Sequence, residues 1–395
     1  MRPQPLGVLP WPAGLLVLPD GHDGLAATLL SGERPQEWPA TAAFVARALD
    51  GDAEGAAALI AGNDDLARYN RAVLVGGDGA WESLADVADP DLAALVALGC
   101  YTVGLRDDAP SADGVDGEIE AMVRSGRASA ALEAGDPAGA HAELTAAIAA
   151  AAVSPALAAS LSLTDAELLR ESGDPAAAES VLNAVLNSMS RTADRETLAE
   201  LHLARGMARQ ELGAHNKGYL VPAVNDYTEA AKTFREETHP EQFATVNVNL
   251  ALAYLIMPMS SEGDRIRVGV AVNSLRAALR IYTPETHPHE WASTQLNLAN
   301  ALQYLPSVHQ EDNLDEAVHL YEQVLAYRDP NVDPLGYARI LANQGNALGH
   351  LGVFSDADER LQRARALFAA QGDVDAVASV DEVLASLAAA REAAH

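Results

Sequence analysis

A motif that returns along the second part of the chain constrains its fold more than any other feature. Thr238-His239-Pro240-Glu241-Gln242-Phe243-Ala244 recurs as Thr286-His287-Pro288-His289-Glu290-Trp291-Ala292, and more loosely as Asp333-Pro334-Leu335-Gly336-Tyr337-Ala338. Each aromatic is followed six residues later by an asparagine: Asn249, Asn297 and Asn343. Small residues follow at the same offsets, first Ala251, Ala299 and Gly345, then Ala253, Ala301 and Ala347. Each copy opens with a helix-start signal. Thr238 and Glu241 have the spacing of a capping box, and Asp333 before Pro334 reads as an N-cap with proline in the first turn. Apolar residues then recur at helical spacing.

A second helix follows each first one. Its small anchor is Ala223, Ala271, Ala317 or Ala357. Four residues later stands Tyr227, Leu275, Tyr321 or Leu361, and three later Ala230, Ala278, Val324 or Ala364. Upstream, Gly135-Asp136-Pro137 precedes Ala140, Leu144 and Ala147, and Gly173-Asp174-Pro175 precedes Ala178, Leu182 and Val185. The anchors Ala140, Ala178, Ala223, Ala271, Ala317 and Ala357 are thus spaced by 38, 45, 48, 46 and 40 residues. Small residues let paired helices approach closely, while the larger ones fill the gap to the next pair. Gly-Asp-Pro predicts a tight turn between helices.

These residues resemble tetratricopeptide repeats. Leu348 to Ala364 is similar to the turn and second helix of such a repeat, with Gly345, Gly352 and Ala357 at its small positions. The resemblance covers residues 117–371. It implies an all-α fold, a right-handed superhelical α-solenoid of tetratricopeptide-like helix pairs. Periods above the usual repeat length predict longer connections at His215–Val221, Met257–Val268 and Leu305–Asn313. Residues 372–395 carry Val374, Val377, Val380, Leu384 and Leu387 on one stripe, which predicts a C-terminal capping helix. Residues 1–116 read as a mostly helical N-terminal region, with degenerate repeats a possible origin. Helical runs are expected at 40–49, 53–61, 64–74 and 89–101, with a short strand or extended chain at Gly14 to Leu18. Residues 104–117 read as a loop, and Gly76-Gly77-Asp78-Gly79 as a turn rather than a phosphate cradle.

Composition narrows the function. The formal net charge is -30, from 56 acidic against 26 basic residues. Such a surface repels phosphate backbones and anionic membranes, so nucleic acid and membrane insertion are not expected. Pro5, Pro10 and Pro12 interrupt the apolar N-terminal stretch, so no signal peptide is expected. The Ala-rich run at 144–163 reads as two helices broken near Pro155 rather than a membrane span. The expected location is cytoplasmic. Cys100 is the lone cysteine, within an apolar run, and is expected to be a buried inert thiol. His239 and His287 occupy equivalent helix starts, which favours a structural role. No metal, cofactor or catalytic residue is expected, and the chain reads as a binding module, not an enzyme.

The resemblance places the first helices along a concave groove. The residues it implies for that groove are Asn249 and Leu252 in one repeat, Asn297, Asn300, Gln303 and Tyr304 in the next, and Arg339, Asn343 and Asn346 in the third. Thr245, Val248, Ser293, Leu296, Ala342 and His350 share those faces. An Asn amide offers donors and an acceptor together, so it suits the N–H and C=O of an extended peptide. It suits bonds to neighbouring helices equally well. Only Arg339 is a well-placed cation, so a carboxylate-terminated ligand is not expected. The expected function is a scaffold for a protein or peptide partner. An assembly or maturation accessory for an enzyme complex, and a regulatory sensor, are the alternatives.

Overall fold

The computed structural model describes residues 13–30, 34–77, 79–189, 195–258, 264–305 and 310–393. Pro5, Pro10, Pro12, Asp78 and parts of two predicted longer connections (259–263 and 306–309) lie outside the described residues. The regular structure that it describes is helical. The chain divides into two compact units, Met1–Leu212 and Gly213–His395.

Unit 1 begins with five short helices: α1 (Asp23–Leu30), α2 (Ala43–Leu49), α3 (Ala53–Leu59), α4 (Asp65–Val75) and α5 (Pro90–Thr102). The last four match the expected runs within three residues, and the starts of α3, α4 and α5 are written chemically. Asp52, Asp64 and Asp89 each cap the following helix by accepting backbone N–H bonds. The stretch at Gly14 to Leu18 is instead a 3-10 turn (Ala13–Leu15) leading into extended chain. Leu16 and Val17 are fully buried there. The Asn70 amide of α4 accepts from Val17 N at 2.9 Å and donates to Val17 O at 2.8 Å. The Tyr69 hydroxyl donates to Leu15 O at 2.9 Å. Side chains of one helix thus do for this segment what a neighbouring strand would do.

Two helix pairs follow, α6 (Gly117–Glu133) with α7 (Pro137–Ala150), and α8 (Pro155–Glu171) with α9 (Pro175–Ser188). Gly135 and Gly173 turn the chain at φ 75° and 82°, a left-handed region that costs glycine little. Asp136 and Asp174 then cap the second helices. The Ala-rich run is two helices, as expected, joined by a 3-10 turn at Ala151–Val153. α10 (Arg195–His215) closes unit 1 and runs past its boundary.

α6 and α7 are also tied electrostatically. Arg124 and Arg127 hold Glu143 at 2.9 Å and 2.7 Å. Burial pushes the Glu143 carboxyl up, but the two guanidiniums outweigh it and hold it below its ordinary value. A depressed carboxylate pKa adds stability above the unfolded value, and this is lost as pH falls through the folded one. Glu143→Gln is therefore expected to lower stability at pH 7 and to flatten the acid limb of the stability profile below about pH 4. Parallel acid limbs in urea titrations of both proteins would contradict this.

Unit 2 holds α11 (Leu220–Ala230), α12 (Pro240–Ile256), α13 (Asp264–Ala278), α14 (Pro288–Tyr304), α15 (Gln310–Tyr327), α16 (Pro334–His350), α17 (Phe354–Ala370) and α18 (Val374–Ala393). α12 packs on α13, α14 on α15, and α16 on α17, and each pair stacks on the next. A 3-10 turn at Lys217–Tyr219 occupies the first of the longer connections. All six alanine anchors of the two units are fully buried, and Leu144, Leu182, Tyr227, Leu275, Tyr321 and Leu361 are at most 1% exposed.

Three expectations are corrected. Thr238 does not cap α12: the N-cap is His239, with no side-chain cap bond, and Pro240 fills the first turn. The Thr238 hydroxyl instead bonds His239 Nδ1 at 2.8 Å. In the C-terminal stripe, Val380 and Leu387 are buried but Val374, at the helix start, is 76% exposed. Cys100 is half-buried rather than buried. Burial still pushes its thiol up, which disfavours the thiolate. His239 and His287 lie tilted against the rings of Phe234 and Tyr282, with centroids 5.4 Å and 5.2 Å apart.

Candidate functional site

The first helices α12, α14 and α16 carry the residues that the sequence singled out. Each starts with proline in its first turn, so the three begin at matching points of their repeats. Ala251, Ala299 and Gly345 are buried against the second helices. That fixes the rotation of each first helix and leaves Asn249, Asn297 and Asn343 half-buried at equivalent positions. Leu252, Asn300, Gln303 and Asn346 are also half-buried, whereas Arg339 is exposed and Tyr304 is 67% exposed.

Part of this set forms a polar network across the repeats. The fully buried Tyr321 of α15 donates to Asn300 Oδ1 at 2.6 Å and accepts from Gln303 Nε2 at 2.6 Å. Asn343 Nδ2 donates to the same Asn300 oxygen at 2.9 Å, and Asn346 Nδ2 donates to Gln303 Oε1 at 3.1 Å. α14, α15 and α16 are thus joined through side-chain amides and one phenol, whose pKa burial pushes up. Asn249 Nδ2 bonds back to Thr245 O at 3.0 Å within its own helix. Among the described residues no hydrogen bond engages the Asn297 amide. The repeated asparagines therefore divide into a linked set at α14–α16 and a less committed pair at α12–α14.

Asn249 lines a depression of about 270 Å³ between α12 and α14, together with Thr245, Val248, Tyr282, His289, Glu290, Ser293 and Thr294. Thr245 and Tyr282 share a hydroxyl–hydroxyl bond of 2.9 Å at its wall. Burial pushes the Tyr282 phenol up, and Glu290 and Glu241 push in the same direction. His289 and Glu290 at this wall lie inside the recurring motif, yet nothing in their spacing marked them as lining a cavity. Tyr282 comes from the end of the preceding helix pair, and only packing reveals its place.

Removing the Tyr321 hydroxyl tests the network. Tyr321→Phe keeps the ring but leaves Asn300 and Gln303 without their shared partner. A loss of about 1–2 kcal/mol is expected in urea unfolding. An unchanged midpoint would mean that the phenol contributes no net stability.

Another cavity, of about 410 Å³, lies in unit 1 between Val17, α4, α5 and α6, with Asp64, Asp65, Asp89 and Asp91 around apolar walls. Asp64 and Asp89 are engaged as helix caps, and Asp65 pairs with Arg68.

Fold and face together define a helix-pair repeat protein, an α-solenoid. Solved structures similar to this chain include BtubC from P. vanneervenii, at 21% identity and a TM-score of 0.42, covering 64% of this chain and 89% of that one. A putative kinesin light chain with nearly identical TPR-like repeats from Podosopora anserina aligns at 23% identity and a TM-score of 0.39, over 53% of this chain and 94% of that one. MamA aligns at 15% identity and a TM-score of 0.37, over 53% and 96%. No family profile and no curated protein matches the sequence.

Proposed function

We propose that the chain is a protein-interaction scaffold, and that the amide face of α12, α14 and α16 holds an extended segment of a partner protein. The observation that carries this is the placement of half-buried amides at equivalent positions of successive first helices, next to the depression beside Asn249. A half-buried amide with remaining capacity can pair with a peptide's N–H and C=O at little desolvation cost. Exposed Tyr304 and Arg339 flank that face and supply an aromatic surface and one cation. The acidic chain, with Glu241 and Glu290 near the depression, favours a neutral or basic segment.

Asn249 and Asn297 are the residues to change, because neither belongs to the Tyr321 network. In a screen of extended peptides by fluorescence polarisation, Asn249→Ala with Asn297→Ala is expected to weaken the selected peptides at least about tenfold, the effect of losing one or two hydrogen bonds. The circular dichroism spectrum should be unchanged. Selected peptides that bind the double variant as well as the wild type would move the interface off this face.

A further inference from the structure

Unit 1 holds a different cavity, of about 380 Å³, between α7, α8 and α9. Its walls are largely apolar, with Ile148, Ala158, Val181 and Val185 among them. The lining hydroxyls of Ser162 and Ser188 donate to backbone carbonyls of their own helices. Asp165 also lines the cavity, and it is 0% exposed. Its Oδ1 meets His141 Nδ1 at 2.6 Å, but its Oδ2 is buried without any hydrogen-bond partner.

An orphaned, buried carboxylate oxygen is costly, because it has given up water and received nothing in return. The cost is removed by a donor delivered through the cavity. A cationic donor fits best: it forms a charge-assisted bond, and a chain of net charge -30 attracts cations and repels anions. The apolar walls call for an apolar body behind that donor, and the volume falls in the small-molecule range.

We propose that this cavity is a binding site for a small organic amine, whose apolar body lies against Ile148, Val181 and Val185 and whose ammonium group donates to Asp165 Oδ2. The site is built by α7, α8, α9 and the turn that joins α7 to α8, so it stands independently of the peptide face on α12, α14 and α16.

Phenethylamine is a suitable probe, with 2-phenylethanol as its uncharged counterpart, titrated calorimetrically into the full chain in about 0.3 M salt to screen the overall charge. The amine is expected to bind saturably, one per chain, at least tenfold more tightly than the alcohol. Asp165→Asn keeps the shape and removes the charge, so amine affinity should fall to that of the alcohol. Ala184→Trp, at an exposed lining position, should abolish binding of both probes while leaving the carboxylate in place, and it keeps the test decisive if Asp165→Asn fails to fold. Equal affinity for amine and alcohol, or amine binding unchanged in either folded variant, would overturn the assignment.

Discussion

Asn70→Ala is expected to destabilise unit 1 by about 2–4 kcal/mol. Asn70 is 2% exposed, and both ends of its amide are used on one residue, Val17. Alanine removes two hydrogen bonds and leaves a backbone N–H and C=O in an apolar core, where each unsatisfied group costs about 1–3 kcal/mol. The surroundings offer little relief, since Leu16, Val17 and Tyr69 are fully buried and Trp81 packs edge-on to Tyr69 at 6.1 Å. Asn70→Asp should be no milder: a carboxylate can accept from Val17 N–H but sets a negative oxygen against Val17 C=O. Hydrogen exchange reads the effect locally, the Val17 amide turning from slow to fast in Asn70→Ala. A Val17 amide that stays slow, together with an unchanged unfolding midpoint, would show that the latch is not what holds the segment.

Gly345→Val is expected to cost unit 2 about 3 kcal/mol, at the upper end of overpacking effects. A Cβ on Gly345 would stand 2.7 Å from Leu361 Cγ and 3.1 Å from Ala357 O. The first contact is with a side chain that is 1% exposed, and the second is with backbone, so neither neighbour can swing away. α16 and α17 would have to separate, opening the layer that Phe368 and Val380 help to fill. Gly345→Ala should show a smaller loss of the same sign, because better helix propensity offsets part of the clash. Thermal unfolding checks both. A valine variant as stable as the wild type would mean that the pair tolerates a wider spacing than Ala357 and Gly345 set.

Much of this architecture was legible in the chain. The alanine anchors, the Gly-Asp-Pro turns and the small residues of the first helices are local statements: each follows from how close two helices come or which φ a turn needs. They recur at matching offsets because every repeat solves the same packing problem. The Asp333 cap was legible for the same reason, and Thr238 misled because its spacing to Glu241 is that of a capping box that the helix start at His239-Pro240 does not use. Residues of the candidate face could be named because the resemblance to tetratricopeptide repeats implies which face of each first helix lines a groove.

What each polar residue does there was decided by tertiary structure. Asn300 and Asn343 look alike in sequence to Asn249 and Asn297, yet the first two meet each other and Asn300 also meets Tyr321, because hydrogen-bond partners 21 and 43 residues away are set by stacking and not by local pattern. The same holds for Asn70 and Val17, 53 residues apart, and for Asp165, whose orphaned oxygen exists only because three helices close around it. Periodicity in the sequence fixes which residues face inward. Which of the inward polar atoms find a partner depends on distances of a few tenths of an ångström between helices, and only the packed structure sets those.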